Sequence, residues 1–156
     1  MFGKESEYKT IQVSQGDVLL REGAVVSSLY IVKSGEIACV TLNHDRVVPV
    51  YTVSEAGVIG EDGVFSDNRP STYSAVALTN ATVVEISKQD IMKFINASSD
   101  WVKNILFDIS EKVAKTTEII SEHRIIDDRF NGGKSFTNEE EVMIKKSLSP
   151  SKKSKD

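Results

Sequence analysis

A mainly β domain followed by helices is the fold class that this sequence predicts, and three observations carry it. Apolar runs alternate with polar residues between glycines placed where strands must reverse, as in Gly16-Asp17-Val18-Leu19-Leu20-Arg21-Glu22-Gly23 and Leu29-Tyr30-Ile31-Val32-Lys33-Ser34-Gly35-Glu36-Ile37. From Ser87 onward the apolar residues recur at helical spacing. Between these regions lies the stretch from Gly60 to Ala75, in which glycines flank a carboxylate, a polar turn follows, and hydroxyls return into Ala75-Val76-Ala77-Leu78. Backbone N–H groups arranged in that way surround one small anion.

In chain order, the two glycine-bounded segments read as strands, and Ile37-Ala38-Cys39-Val40 continues the pattern. Cys39 is the one cysteine, so a disulfide within the chain is excluded and a buried strand position is expected. Asn43-His44-Asp45 reads as a hairpin turn that leaves His44 exposed. Ser87-Lys88-Gln89-Asp90 opens a short helix, with Ser87 at the N-cap and Asp90 at N3 favouring the positive helix end. Ile91, Met92, Phe94 and Ile95 give that helix a face to pack on the sheets. A second helix starts after Ser98 or Ser99 and is expected to run to about Asp127, ~45 Å at 1.5 Å per residue. Along it Val102, Leu106, Ile109, Val113, Thr116, Ile120 and His123 recur at spacings of four and three, a heptad seam.

The glycine framework and the Gly60–Ala75 stretch resemble the cyclic nucleotide-binding domain, the module of catabolite activator proteins, kinase regulatory subunits and cyclic nucleotide-gated channels. The resemblance covers roughly residues 9 to 125. It implies a β jelly roll, then a short helix, then a long C-terminal dimerisation helix that closes over a cyclic nucleotide. It also implies a phosphate-binding cassette made of Gly60, Glu61, Gly63, Val64, Arg69, Ser71, Thr72 and Tyr73. Glu61 would accept hydrogen bonds from a ribose 2′-OH, while the N–H groups near Gly63 and Val64 and the hydroxyls of Ser71 and Thr72 would hold the ligand.

Two positions depart from the family pattern. Ser71 stands where the family has the arginine that pairs with the cyclic phosphate. A guanidinium makes a bidentate fork, each charge-assisted bond worth about 1.5–3 kcal/mol, whereas a serine hydroxyl offers one neutral donor. Tyr73 stands where a small residue usually packs under the ligand, so its ring is expected to fill the cavity. Arg69 is the candidate replacement for the missing arginine, but Pro70 holds it extended, and in the family's similar turn this side chain points at solvent. Without a ligand, Glu61 needs Arg69, Thr72 or a backbone N–H as its partner, and a Glu61–Arg69 pair would mimic a filled site.

Composition narrows the function classes. With 156 residues and 40% hydrophobic content the chain supports one core, read as a domain over 1–128 and a flexible polar tail over 129–156. The net charge of −4 argues against a nucleic-acid binder, and the stretch after Asp128 is too short and polar for a DNA-binding helix-turn-helix unit. No run approaches the ~18 apolar residues of a membrane span, so a cytoplasmic protein is expected. His44 and His123 have no cysteine company and indicate no metal site. No nucleophile motif is present, and Gly132-Gly133-Lys134-Ser135 fails as a phosphate loop because Asp128 takes the first glycine's place and a helix precedes it. Glu139 to Lys146 can form a brief helix, with a partner-docking motif around Val142, Met143, Ile144 and Leu148 as the alternative to a solvated tail.

Two readings of the seam compete: packing on the domain's own sheet, or a parallel homodimer, which the resemblance and the apolar Ile119, Ile120, Ile125 and Ile126 favour. Two functions remain. One is a non-enzymatic regulatory module whose degenerate or altered-ligand pocket leaves it to act through contacts with an unidentified effector protein. The other is a stand-alone cyclic nucleotide (cAMP-like) sensor that signals through its long helix. Ser71 and Tyr73 favour the first; Glu61, Thr72 and the glycines favour the second.

Overall fold

The computed structural model describes residues 7–123 and 136–149. Eight strands, β1 (Lys9–Val13), β2 (Val18–Leu20), β3 (Ser28–Ser34), β4 (Ile37–Asn43), β5 (Arg46–Val53), β6 (Val58–Ile59), β7 (Ser74–Ala77) and β8 (Ala81–Ser87), form two four-stranded antiparallel sheets. Their orders are β1-β8-β3-β6 and β2-β7-β4-β5. This is the expected β jelly roll followed by helices. Four helices complete the described residues: α1 (Glu61–Val64), α2 (Lys88–Asn96), α3 (Asp100–Glu122) and α4 (Asn138–Leu148).

Local signals act where they were expected. His44 takes φ 55° in the turn between Asn43 and Arg46, which pair across the hairpin. Ser87 caps α2 by accepting from the Asp90 N–H at 3.1 Å, and Ser99 is the N-cap residue of α3. Val32, Ile37, Cys39, Ile59 and Val83 meet between the sheets with no exposed surface.

Strands β4 and β7 are buried along almost their whole length, because the sheet that holds them is covered on both faces. Ile37 and Cys39 face the core between the sheets, whereas Ala38, Val40, Val47, Val76 and Leu78 form a second apolar cluster on the far face. A bulge between Cys39 and Val40 lets neighbouring residues Val50 and Tyr51 both join the inner core, and it places Pro49 on an edge strand, where its missing N–H costs no central pairing.

Helix α4 covers the second cluster, which corrects the expectation of a flexible polar tail over 129–156 for residues 138–148. Ile144 is completely buried there, with Phe136, Met143 and Leu148 beside it. Thr137 and Glu140 form a reciprocal capping box, and the Ser147 hydroxyl donates to the Gly16 carbonyl at 2.7 Å. An apolar sheet face needs a cover, and this amphipathic segment supplies one. The Gly132–Ser135 segment lies outside the described residues.

Helix α3 ends at Glu122 with His123 as its C-cap, and the expected continuation to about Asp127 lies outside the described residues. It packs through small residues: Ser110, Ala114 and Thr117 are buried, together with Ile120. The anticipated seam is therefore divided. Leu106, Val113 and Ile120 turn toward the helix's own domain and Val102 is half-buried, whereas Ile109, Thr116 and His123 are exposed. Residues one position earlier, Trp101, Ile105 and Ile119, form with Ile109 an outward apolar stripe, each about half exposed or more.

Candidate ligand-binding cassette

The cassette begins where β6 ends. Gly60 adopts φ +97°, and a Cβ there would lie 2.8 Å from the Ser28 carbonyl oxygen, so both conformation and space demand glycine. Gly63 is held as tightly, since a Cβ would sit 2.3 Å from Val26 Cγ2. Between them the chain makes the single turn α1, in which the Gly63 and Val64 N–H groups donate to the Gly60 carbonyl at 3.3 and 3.0 Å. The helical turn thus uses the N–H groups that were expected to face a ligand.

The Glu61 carboxylate is satisfied by two tyrosines. Oε1 accepts from the Tyr51 hydroxyl, and Oε2 accepts from the Tyr73 hydroxyl at 2.8 Å. The Tyr73 oxygen in turn accepts the Gly60 N–H at 2.8 Å, which completes its one donor and one acceptor role. The two rings meet edge to face with centroids 5.7 Å apart, and Tyr73 has no exposed surface. Burial pushes the Glu61 carboxyl above its ordinary value, and the two tyrosine hydroxyls pull it part of the way back. Both phenols are also raised, first by burial and then by Cys39 and Glu61, so they serve as neutral donors.

This arrangement corrects the expectation of a Glu61–Arg69 pair. The turn through Asn68, at φ 62°, sends Arg69 neither to Glu61 nor to open solvent. Its Nη1 donates to the Asp62 and Ser110 carbonyls, both at 3.4 Å, and the side chain is half-buried against α3. The Ser110 hydroxyl lies 2.9 Å from the Glu61 carbonyl and 3.1 Å from that of Asp62. Ser110 and Arg69 therefore tie the long helix to α1.

The remaining candidates have internal partners as well. The backbone of Ser71 is held in two bonds with Gly23 and Ala24, and its hydroxyl donates to the Tyr73 carbonyl at 2.8 Å. The Thr72 N–H and hydroxyl both donate to Oδ2 of Asp62, each at 2.7 Å. Asp62 is fully buried, and its Oδ1 has no partner among the described residues. Val64 belongs to the core.

The structure thus brings Gly60, Glu61, Gly63, Ser71, Thr72 and Tyr73 into one connected network, with Arg69 at its rim. Sequence reasoning missed Tyr51, Asp62 and Ser110. Asp62 carried a visible signal, an acidic residue where the resembling cassettes are apolar, and Ser110, Ala114 and Thr117 are small residues at helical spacing. Tyr51 carried none, because its role depends on pairing opposite Cys39. A cleft of about 340 Å3 remains open beside Ser71 and Thr72, but Glu22, Glu118 and Glu122 line it against the one cation Arg69. Three carboxylates against one guanidinium make it a poor place for a phosphate.

Among the described residues, no group of three or more His, Cys, Asp or Glu side chains is placed to hold a metal ion, and no helix is long and apolar enough to cross a membrane.

Comparison with solved structures shows likeness of fold. The chain is similar to the EAL enzyme Bd1971 in its cAMP-bound form (TM-score 0.66, 16% identity over 74% of this chain), of which it spans only 30%. It is similar to the sensor domain of the transcriptional regulator DNR from Pseudomonas aeruginosa (TM-score 0.60, 14% identity, 73% of this chain and 77% of that one). It also resembles the regulatory subunit of a cAMP-independent protein kinase A from Trypanosoma brucei (TM-score 0.54, 18% identity, 67% of this chain and 40% of that one). No curated protein matches the chain. The family described as cyclic nucleotide-binding domain matches residues 10–98, more than half of the chain, and with the glycine framework and two-sheet topology this makes the protein a member of that family.

Proposed function

We propose that this protein is a non-enzymatic regulatory module that keeps the cyclic nucleotide-binding fold but fills its own pocket, and that it acts through protein contacts. The observation that carries this reading is the capture of the Glu61 carboxylate by the Tyr51 and Tyr73 hydroxyls, with the Tyr73 ring fully buried beneath them. A cyclic nucleotide would have to expel that ring, break both bonds and forgo the arginine absent at Ser71. The acidic lining of the adjoining cleft points the same way. The kinship in fold with the regulatory subunit of a cAMP-independent protein kinase A supports the idea that such a fold serves regulation without cAMP.

The contact surface in this reading is α3. Its outward stripe of Ile105, Ile109, Thr116 and Ile119 follows heptad spacing and fits a second copy of the chain, so we infer a homodimer, with an effector protein still to be found. A second reading, a cyclic nucleotide sensor, is favoured by the intact Gly60-Glu61 pair and by the latch of Ser110 and Arg69, through which displaced tyrosines would move α3. Isothermal calorimetry with cyclic AMP and cyclic GMP separates the two. No heat with the wild type supports the self-filled pocket; one-to-one saturable heat with the wild type supports the sensor.

A further inference from the structure

We propose that the Asp62 carboxylate is a tethered substitute for a ligand's anionic group, and that it determines, together with the missing arginine, that this cassette takes no free oxyanion. The inference rests on the reading of a self-filled pocket and names the residue that fills its anion position. Two donors of one residue, the Thr72 N–H and O–H, converge on the single oxygen Oδ2 of Asp62 at 2.7 Å each. In the resembling cassettes that hydroxyl faces the ligand, and the convergence of an amide and an adjacent hydroxyl on one anionic oxygen is the way a phosphate oxygen is held.

The surrounding donors leave Thr72 as the anion contact. The Gly60 N–H serves Tyr73, the Gly63 and Val64 N–H groups serve Gly60, and the Ser71 N–H serves Ala24. The other carboxylate oxygen, Oδ1, is buried with no donor. A buried, half-satisfied carboxylate is costly, and the residue before Thr72 is where the resembling cassettes carry the arginine that meets the anion. Position 71, where this chain has serine, is that residue. A free anion at Thr72 must displace a group already tethered there, at an effective concentration of at least about millimolar, and two anions do not share the same pair of donors.

The test reads the Thr72 amide in 15N–1H spectra of the full chain, with inorganic phosphate and separately cyclic AMP as probes. Wild type and Ser71→Arg are expected to show no saturable shift at Thr72, whereas Ser71→Arg/Asp62→Leu titrates with phosphate at least tenfold more tightly than either. If Ser71→Arg alone takes phosphate as tightly as the double variant, Asp62 is not the obstacle and the inference falls while the self-filled pocket stands. A folded double variant that stays silent also overturns it. Should the leucine variant not fold, Asp62→Asn and the wild type suffice: slow exchange of the wild-type Thr72 amide that is lost in Asp62→Asn supports the inference, and fast exchange in the wild type overturns it. Cyclic AMP binding to the wild type would overturn the self-filled pocket and this inference with it.

Discussion

Replacing Tyr73 by phenylalanine keeps the buried ring and removes one oxygen, so it isolates the polar half of the plug. That oxygen donates to Glu61 Oε2 at 2.8 Å and accepts the Gly60 N–H at 2.8 Å, in a residue with no exposed surface. Removing it forfeits a bond to a half-buried carboxylate, a class worth about 1.5–3 kcal/mol, and leaves the Gly60 N–H without its partner, at a further cost of about 1–3 kcal/mol. Partial relaxation keeps the sum near the lower end, about 3 kcal/mol. For a chain of this size that lowers the melting temperature by about 6–12 °C. Differential scanning calorimetry of Tyr73→Phe against wild type reads it directly. Tyr30→Phe is the control, because that half-buried hydroxyl meets Glu85 at only 3.5 Å and its loss is expected to cost under ~1 kcal/mol. Equal melting temperatures for the two variants would refute the reasoning.

Other consequences are open to measurement. Ile144→Ala removes a fully buried side chain from the interface of α4 with the sheet and is expected to destabilise the protein by about 2–5 kcal/mol in urea unfolding, whereas a free tail would give no change. Ile109→Asp, on the outward face of α3, is expected to convert a dimer to a monomer in analytical ultracentrifugation with little change in melting temperature; a wild type that sediments as a monomer would remove the dimer from the account. Glu61 sets a pH dependence whose sign follows from its raised carboxyl. The folded state holds the proton more readily than the unfolded chain, so relative to Glu61→Gln the wild type gains stability as pH falls through the folded value toward the ordinary value of 4.5, and that gain is absent above the folded value. Melting curves of both proteins across this window would contradict the assignment if their difference ran the other way.

Local features of the chain were readable because local chemistry determines them. Glycines marked strand reversals, the Asn43–Asp45 turn closed a hairpin with His44 in the left-handed region, and Ser87 capped α2. Tyr73 as a space-filling ring followed from its place beneath the ligand in the resembling cassettes. What escaped depends on partners distant in the chain. Tyr51 reaches Glu61 only because β5 pairs with β4 and bulges beside Pro49. Helix α4 is amphipathic but short, and its need to cover Val40 and Val76 appears only once those strands are known to lie side by side. The seam on α3 was divided because the helix is apolar on two adjacent stripes. Periodicity cannot say which stripe meets the domain, whereas the small residues Ser110, Ala114 and Thr117 do, since only a close approach buries them.

The claim that the pocket is already occupied by its own side chains is tested most directly by the 15N–1H spectrum of the wild-type protein titrated to millimolar cyclic AMP and then cyclic GMP. The account predicts that the amides of Gly60, Glu61, Gly63 and Thr72 stay where they are; saturable movement of these resonances, with α3 shifting beside them, would contradict it and make the protein a nucleotide sensor.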